Sequence, residues 1–256
     1  MLTKYIKTAE MTARNQTNGG IIYLLPNFLI RVIYLLPLMM LWRTLINSGV
    51  DAGMTLAQML TYTLISNLFG DLLNIRSPLT HWIVDTRLIS YCGRPMSILG
   101  HVAAESFGWA IPGLLFFSLP MLLLSPLFGV NAVPVSLWFF PSLLLCISLG
   151  FAVEFIFASL LVRMINTSWL VHSIRSAVVW LFSGAMLPFA ILPFGLENIM
   201  RYQPLGSLAG APLSIYAGIS EPVVTITIQI IWNVVLWPVA IFVFNKARER
   251  MVSHGG

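Results

Sequence analysis

Residues 135–162 read VSLWFFPSLLLCISLGFAVEFIFASLLV, with Glu154 the one charged side chain in the stretch. A helix needs about 20 mostly apolar residues to cross a bilayer, whereas a barrel strand needs about 9–11 and alternates in polarity. This stretch is long enough for the first and does not alternate, so it reads as a transmembrane helix. Five more stretches read the same way, at about 27–47, 54–75, 98–125, 169–194 and 223–245. The composition agrees with them. Of 256 residues, 58% are hydrophobic and 9% are charged, where a soluble domain carries about 25% charged residues to cover its surface. Disorder needs the opposite composition. The expectation is an all-α integral membrane protein: six transmembrane helices in one transmembrane domain over residues 1–256, with no room for a soluble domain.

The segments between the spans refine this. Residues 1–20 carry Leu2, Tyr5, Ile6, Ala9 and Ala13 at helical spacing, with Lys4, Lys7, Glu10 and Arg14 on other faces. That pattern predicts an amphipathic helix in the membrane interface, broken at Asn18-Gly19-Gly20. About 20 mixed residues precede the first apolar stretch, so it reads as a signal-anchor with the N-terminus inside, not as a cleavable signal. Arg31 would lie in mid-membrane if that span began at Ile21. A turn at Pro26 would let the chain enter near Arg31, which then snorkels inward. Residues 193–221 hold Pro193, Pro204 and Pro212 among glycines and large apolar residues, too broken for a span and too apolar for a free loop. Short re-entrant or interfacial helices are predicted there.

Orientation follows from the basic residues, which concentrate in cytoplasmic loops. With both termini inside, ten loop residues (Lys4, Lys7, Arg14, Arg76, Arg87, Arg94, Arg163, Lys246, Arg248 and Arg250) fall on the cytoplasmic side and Arg201 alone falls outside. This predicts a multi-pass protein of the cell membrane with both termini cytoplasmic. The net charge of +5 is then a topology signal. The basic residues cluster only at 246–250, so no nucleic-acid partner is expected. Cys92 and Cys146 form no C-x-x-C pair and read as free thiols. No G-x-x-x-x-G-K-[ST], H-E-x-x-H or G-x-S-x-G occurs, so the chain has no phosphate-binding loop and no familiar hydrolytic motif.

Ionisable residues inside spans are the remaining candidates. His101 and Glu105 lie four apart on span three. Glu154 is on span four, with Arg163 or Arg175 as a possible partner, and Asp71 is near the inner end of span two, close to Arg76. His101 and Glu105 could relay a proton or bind a metal, and Glu154 could carry protons, but two ligands are too few for a metal site. Structural pairing is the simpler reading.

The chain also resembles a family. A charged helical segment follows span two, from Asp85 through Arg87 to Gly93-Arg94-Pro95. A broken segment runs from Ser183-Gly184 past Leu187-Pro188 to Gln203-Pro204-Leu205 before the last span. With the amphipathic start and six spans, these segments make the chain similar to the permease subunit of an ABC-2 type transporter. The resemblance implies a non-catalytic subunit of an ATP-driven exporter, forming half of the substrate pathway. No cofactor sits in this chain, and ATP and Mg belong to separate ABC ATPase subunits. A second permease subunit, identical or paralogous, completes the pathway. Residues 80–95 become a coupling helix docked on the ATPase, where Asp85, Arg87 and Arg94 make charge contacts and Trp82, Ile83 and Leu88 bury in its groove. Spans one, two and five line the pathway. Leu36, Trp42, Gln58, Thr61, Asn67, Trp180 and Met186 are its candidate lining, and the many polar residues of span two fit that role. Two other functions remain open at this point: a six-span membrane enzyme acting on lipid through His101 and Glu105 or Glu154, and an ion-coupled carrier.

Overall fold

The computed structural model describes residues 2–18, 20–49, 52–94, 96–130, 133–164 and 167–253. Asp51, Pro95 and Asn166 lie outside the described residues, as does the side chain of Cys92. Among the described residues every regular element is helical. Among these residues four helices are long and apolar enough to cross a membrane: Phe28–Asn47, Ile98–Phe128, Phe139–Leu161 and Pro222–Met251. They belong to α2 (Leu25–Asn47), to α7 (Ile98–Gly113) with its continuation α8 (Leu119–Leu124), to α9 (Phe139–Leu161) and to α13 (Pro222–Ser253).

Helix α9 is the central post. Of its most apolar stretch 67% is buried, against 17% for α2 and for α13, whose outer faces carry exposed residues such as Ile33, Met40, Val234 and Phe242. Helices α9 and α13 run parallel, and their contacts advance in register. Ser142 meets Gln229, the Leu145 carbonyl meets Asn233, Ser148 meets Trp237, and Phe155 meets Phe244. Gln229, Asn233 and Trp237 are spaced by four, so they form one stripe along the face of α13 turned to α9.

The two remaining apolar stretches do not form full spans. The expected span at 54–75 is α3 (Leu56–Leu68) followed by one turn, α4 (Gly70–Leu73). The break falls at Phe69, and the Leu68 carbonyl accepts a hydrogen bond from Ser118, 2.6 Å away. Ser118 closes a π-helical segment, Leu114–Ser118, that joins α7 to α8 just before Pro120. Pro120 has no N–H to donate, and a π-turn is a common way for a helix to absorb such a gap.

The expected span at 169–194 ends early as α10 (Ser168–Phe182). Gly184 has φ +77°, in the left-handed region, and so stops the helix. The four carbonyls at the break are all satisfied from elsewhere in the chain: Phe182 by the Gln203 amide, Ser183 by the Gly210 N–H, Gly184 by the Tyr62 hydroxyl and Ala185 by the Ser66 hydroxyl. Beyond it the predicted short helices appear as α11 (Leu196–Tyr202) and α12 (Gly210–Tyr216). Helix α12 is buried between α3 and α9. At Gly206 any Cβ would stand 2.0 Å from the Met200 carbonyl oxygen, so only glycine fits there.

Direction alternates through the bundle. Helix α2 and the α7–α8 helix are parallel, with Arg31 beside Gly113 and Arg43 bonded to the Phe128 carbonyl. Helix α3 opposes α10, since Arg175 meets the Ile75 carbonyl while Tyr62 meets Gly184. The N-terminal helix α1 (Leu2–Thr17) lies alongside the first turns of α7 and parallel to it. Tyr5 rests on Gly100, while Ala9 and Thr12 rest on Gly108. The face of α1 that docks is thus Tyr5, Ala9 and Thr12, and the predicted apolar residues Leu2 and Ile6 stay exposed.

Candidate functional site

Two short helices, α5 (Leu79–Val84) and α6 (Arg87–Cys92), form a knuckle between α4 and α7. The chain reverses at Asp85-Thr86, with Thr86 in the left-handed region at φ 58°. The inner face of the knuckle is fastened to the bundle. Trp82 stacks on Tyr91 at 3.9 Å between ring centroids, and both rings lean on His101 of α7. Trp82, Ile83 and Leu88 are 3%, 0% and 1% exposed, which corrects the expectation that they face a groove on a partner. Their apolar surface is already used inside the chain. What stays open is the tip. Asp85 and Arg87 are exposed and paired at 3.2 Å, Val84 and Ile89 flank them, and the Arg94 guanidinium sits 4.3 Å over the Tyr91 ring.

The ionisable residues divide by level. Asp71 pairs with Arg31 at 2.5 Å, not with Arg76, and Arg31 lies 5.1 Å over the Phe117 ring. Arg31 therefore does not snorkel free; its charge is met by α4 and an aromatic face. Glu154 pairs with Arg175 at 2.5 Å, not with Arg163. Both are buried, the Ser77 hydroxyl donates to Glu154, and Arg175 donates to the Ile75 carbonyl. This cluster ties α9, α10 and the start of the knuckle together. His101 and Glu105 approach to 3.5 Å. They lie where α1, with Lys4, Lys7, Glu10 and Arg14, runs beside α7, so their level is shared with a charged helix. Among the described residues no three His, Cys, Asp or Glu side chains come together as a metal site would require.

The candidate pathway residues separate. Leu36, Trp180 and Met186 are exposed, Thr61 is half-buried, and Trp42 is buried at 4% exposure. Gln58 forms a capping box with Thr55 at the start of α3, a role that T-x-x-Q announces in the sequence. Asn67 donates to the Arg31 carbonyl at 3.4 Å. Most polar groups of α3 are therefore committed within the chain.

The sequence did not reveal a cleft of about 560 Å³ beside the Glu154–Arg175 pair. Arg76, His81, His172 and Arg175 supply its basic lining, Glu154 its carboxylate, Gln16, Ser77, Thr80 and Ser168 its neutral polar groups, and Trp109 and Trp169 stand among its walls. Five segments far apart in sequence build it: Gln16, residues 76–84, Trp109, residues 154–161 and residues 168–175. Only His172 and Arg175, at a spacing of three on α10, hinted at it. No protein-family model matches the chain, and neither the curated proteins nor the solved structures contain a match to it.

Proposed function

We propose that this chain is the membrane subunit of an ATP-driven exporter of the ABC-2 permease type. A separate ATPase would supply hydrolysis, and a second permease subunit would complete the pathway. The observation that carries this reading is the α5–α6 knuckle. Its inner face is locked onto α7 by the Trp82–Tyr91–His101 stack and joined to α9 and α10 through Ser77, Glu154 and Arg175. Its tip leaves Asp85 and Arg87 exposed, where a partner would meet them. A rigid lever with a charged end is what mechanical coupling to another protein needs.

The six-crossing topology belongs to the same proposal. The α3–α4 segment and α10 with residues 183–194 would be the second and fifth crossings, each broken once. The breaks are tolerable in a bilayer because protein donors satisfy their freed carbonyls. Both chain ends and the knuckle would then share one side, and the basic residues on that side make it cytoplasmic. The α7–α8 helix with its final turn, 31 residues long, spans about 46 Å at 1.5 Å per residue and overshoots a hydrocarbon core of about 30 Å. Its first turns would project beyond the core at the level of α1, which runs beside them and parallel to α7 and so would not lie flat along the membrane surface.

The enzymatic and ion-coupled readings receive less support. Each needs an available carboxylate or imidazole, while Glu154 is neutralised by Arg175 and His101 is covered by the stacked Trp82 and Tyr91 rings. Purification of the tagged chain from its native membrane tests the proposal. A nucleotide-hydrolysing chain should accompany it in fixed ratio. A chain that purifies alone, or turns over lipid by itself, overturns it.

A further inference from the structure

The cleft beside the Glu154–Arg175 pair is built for a ligand. Its volume of about 560 Å³ is in the range of small-molecule sites, and apolar walls with a few convergent polar groups are what such sites present. The sign of the ligand follows from the charges. Glu154 offsets Arg175 at 2.5 Å, leaving Arg76, which is exposed and has no ion pair among the described residues. His81 and His172 are exposed in the same lining, and each imidazole offers an N–H donor. The one carboxylate of the lining is buried and already paired, and among the described residues no group of three metal-ligating side chains forms. The cleft therefore favours an anion over a cation.

The walls identify the kind of anion. Trp169 is 68% exposed in the first turn of α10, and Trp109 faces the same space with Phe157 and Leu161. A small soluble anion would leave these surfaces wet. An anion with an apolar body would cover them. The cleft lies at the end of α10 and α9 where the apolar helices meet the charged knuckle, and exposed tryptophan at that level is typical of the membrane interface. Basic pockets between membrane helices on this side are known sites for anionic lipid headgroups. We infer that the cleft holds the phosphodiester headgroup of an anionic phospholipid, with Arg76, His81 and His172 on the phosphate and Trp169 against the glycerol and upper acyl region. Such a lipid would brace α10, the shortened fifth crossing, against α9 and the knuckle. The inference does not depend on an ATPase partner, and it is tested on the chain alone.

Native mass spectrometry of the chain released from neutral micelles, titrated with phosphatidylglycerol, phosphatidylcholine or inorganic phosphate, reads the site directly. Phosphatidylglycerol is expected to be retained about tenfold better than phosphatidylcholine, the scale of one or two cations near a headgroup. Inorganic phosphate should not displace it. The R76Q/H81Q/H172Q variant should bring the two lipids to parity, and K4Q/K7Q on α1 should leave the preference intact. Equal retention of the two lipids by the wild type, or an unchanged preference in the triple variant, overturns the inference. So does equal loss in K4Q/K7Q, which would mark a diffuse charge effect. Displacement by inorganic phosphate would assign the cleft to a soluble phosphoanion and overturn the lipid. Should the triple variant not fold, the wild type carries the test. Phosphatidylglycerol brominated high on its acyl chains should quench its tryptophan fluorescence more than the matching phosphatidylcholine, with W169F losing the largest share. Equal quenching by the two lipids overturns the inference.

Discussion

Helices α9 and α13 form one seam of the molecule, and α3 with the broken segment that follows α10 forms another. Both are rich in side-chain hydrogen bonds, but the bonds do different things. Along α9–α13 the helices are unbroken. Asn233 donates to the Leu145 carbonyl, which sits inside a regular helix and has an N–H partner of its own, so the side chain adds a second bond. Along the second seam the helix has ended, and α3 faces the open backbone of residues 183–186. Tyr62 and Ser66 donate to the carbonyls of Gly184 and Ala185, which take no backbone hydrogen bond among the described residues. The first seam uses polar residues as added adhesion between intact helices. The second uses them to make a break possible in an apolar setting. Polarity along a membrane segment therefore has at least three meanings: a pathway, an interhelical bond, or the repair of a broken backbone.

The largest expected effect comes where the two seams are bolted together. Glu154→Ala would leave the Arg175 charge buried and unpaired, with a loss of about 3–5 kcal/mol. A large fall in the thermal unfolding midpoint in detergent would report it. Replacing both residues by methionine should restore most of the loss, since a buried pair often contributes little beyond apolar packing. If the double variant is no more stable than Glu154→Ala, the pair has a role beyond cancelling its own charges.

The next two predictions test the contrast itself. Tyr62→Phe or Ser66→Ala strands a carbonyl with no other partner and should lower stability by about 1–3 kcal/mol each. Asn233→Leu on the regular seam should lower it by about 0.6 kcal/mol, the average for a polar bond between membrane helices. Chemical denaturation of the three variants side by side would measure the gap. Equal losses would break the distinction between adhesion and repair. The smallest effect belongs to the knuckle tip. Asp85→Lys with Arg87→Glu reverses an exposed pair and should move stability by less than about 0.5 kcal/mol, so any loss of function in that variant belongs to a partner and not to the fold.

Hydropathy made the helical class and the approximate position of every apolar segment legible, because transfer free energy is a property of the side chains. It could not register the breaks at Phe69 and Phe182. Those depend on where freed backbone groups find donors, and Ser118, Tyr62, Ser66 and Gln203 lie far away in sequence. One ion-pair partner was illegible for the same reason. Asp71 was matched with nearby Arg76, while its partner Arg31 is 40 residues away. Other signals were present and unread. The four-residue spacing of Gln229, Asn233 and Trp237 marks the face of α13 that meets α9, and Thr55 with Gln58 spells a helix cap. The knuckle was located correctly by its Asp85–Arg94 charge pattern, but its facing was not. Trp82, Ile83 and Leu88 read equally well as partner-facing until Tyr91 and His101 are found against Trp82.

The central claim is that the knuckle tip transmits force from a nucleotide-hydrolysing partner. The most direct measurement is the amount of that partner retained, per permease chain, by the wild type and by the Asp85→Lys, Arg87→Glu variant purified in parallel from the native membrane. The account predicts a fixed ratio for the wild type and loss of most of the partner from the variant, with the thermal unfolding midpoint of the variant unchanged. A wild-type chain without a hydrolysing partner, or a variant that keeps it at the wild-type ratio and hydrolyses nucleotide at the wild-type rate, would contradict it.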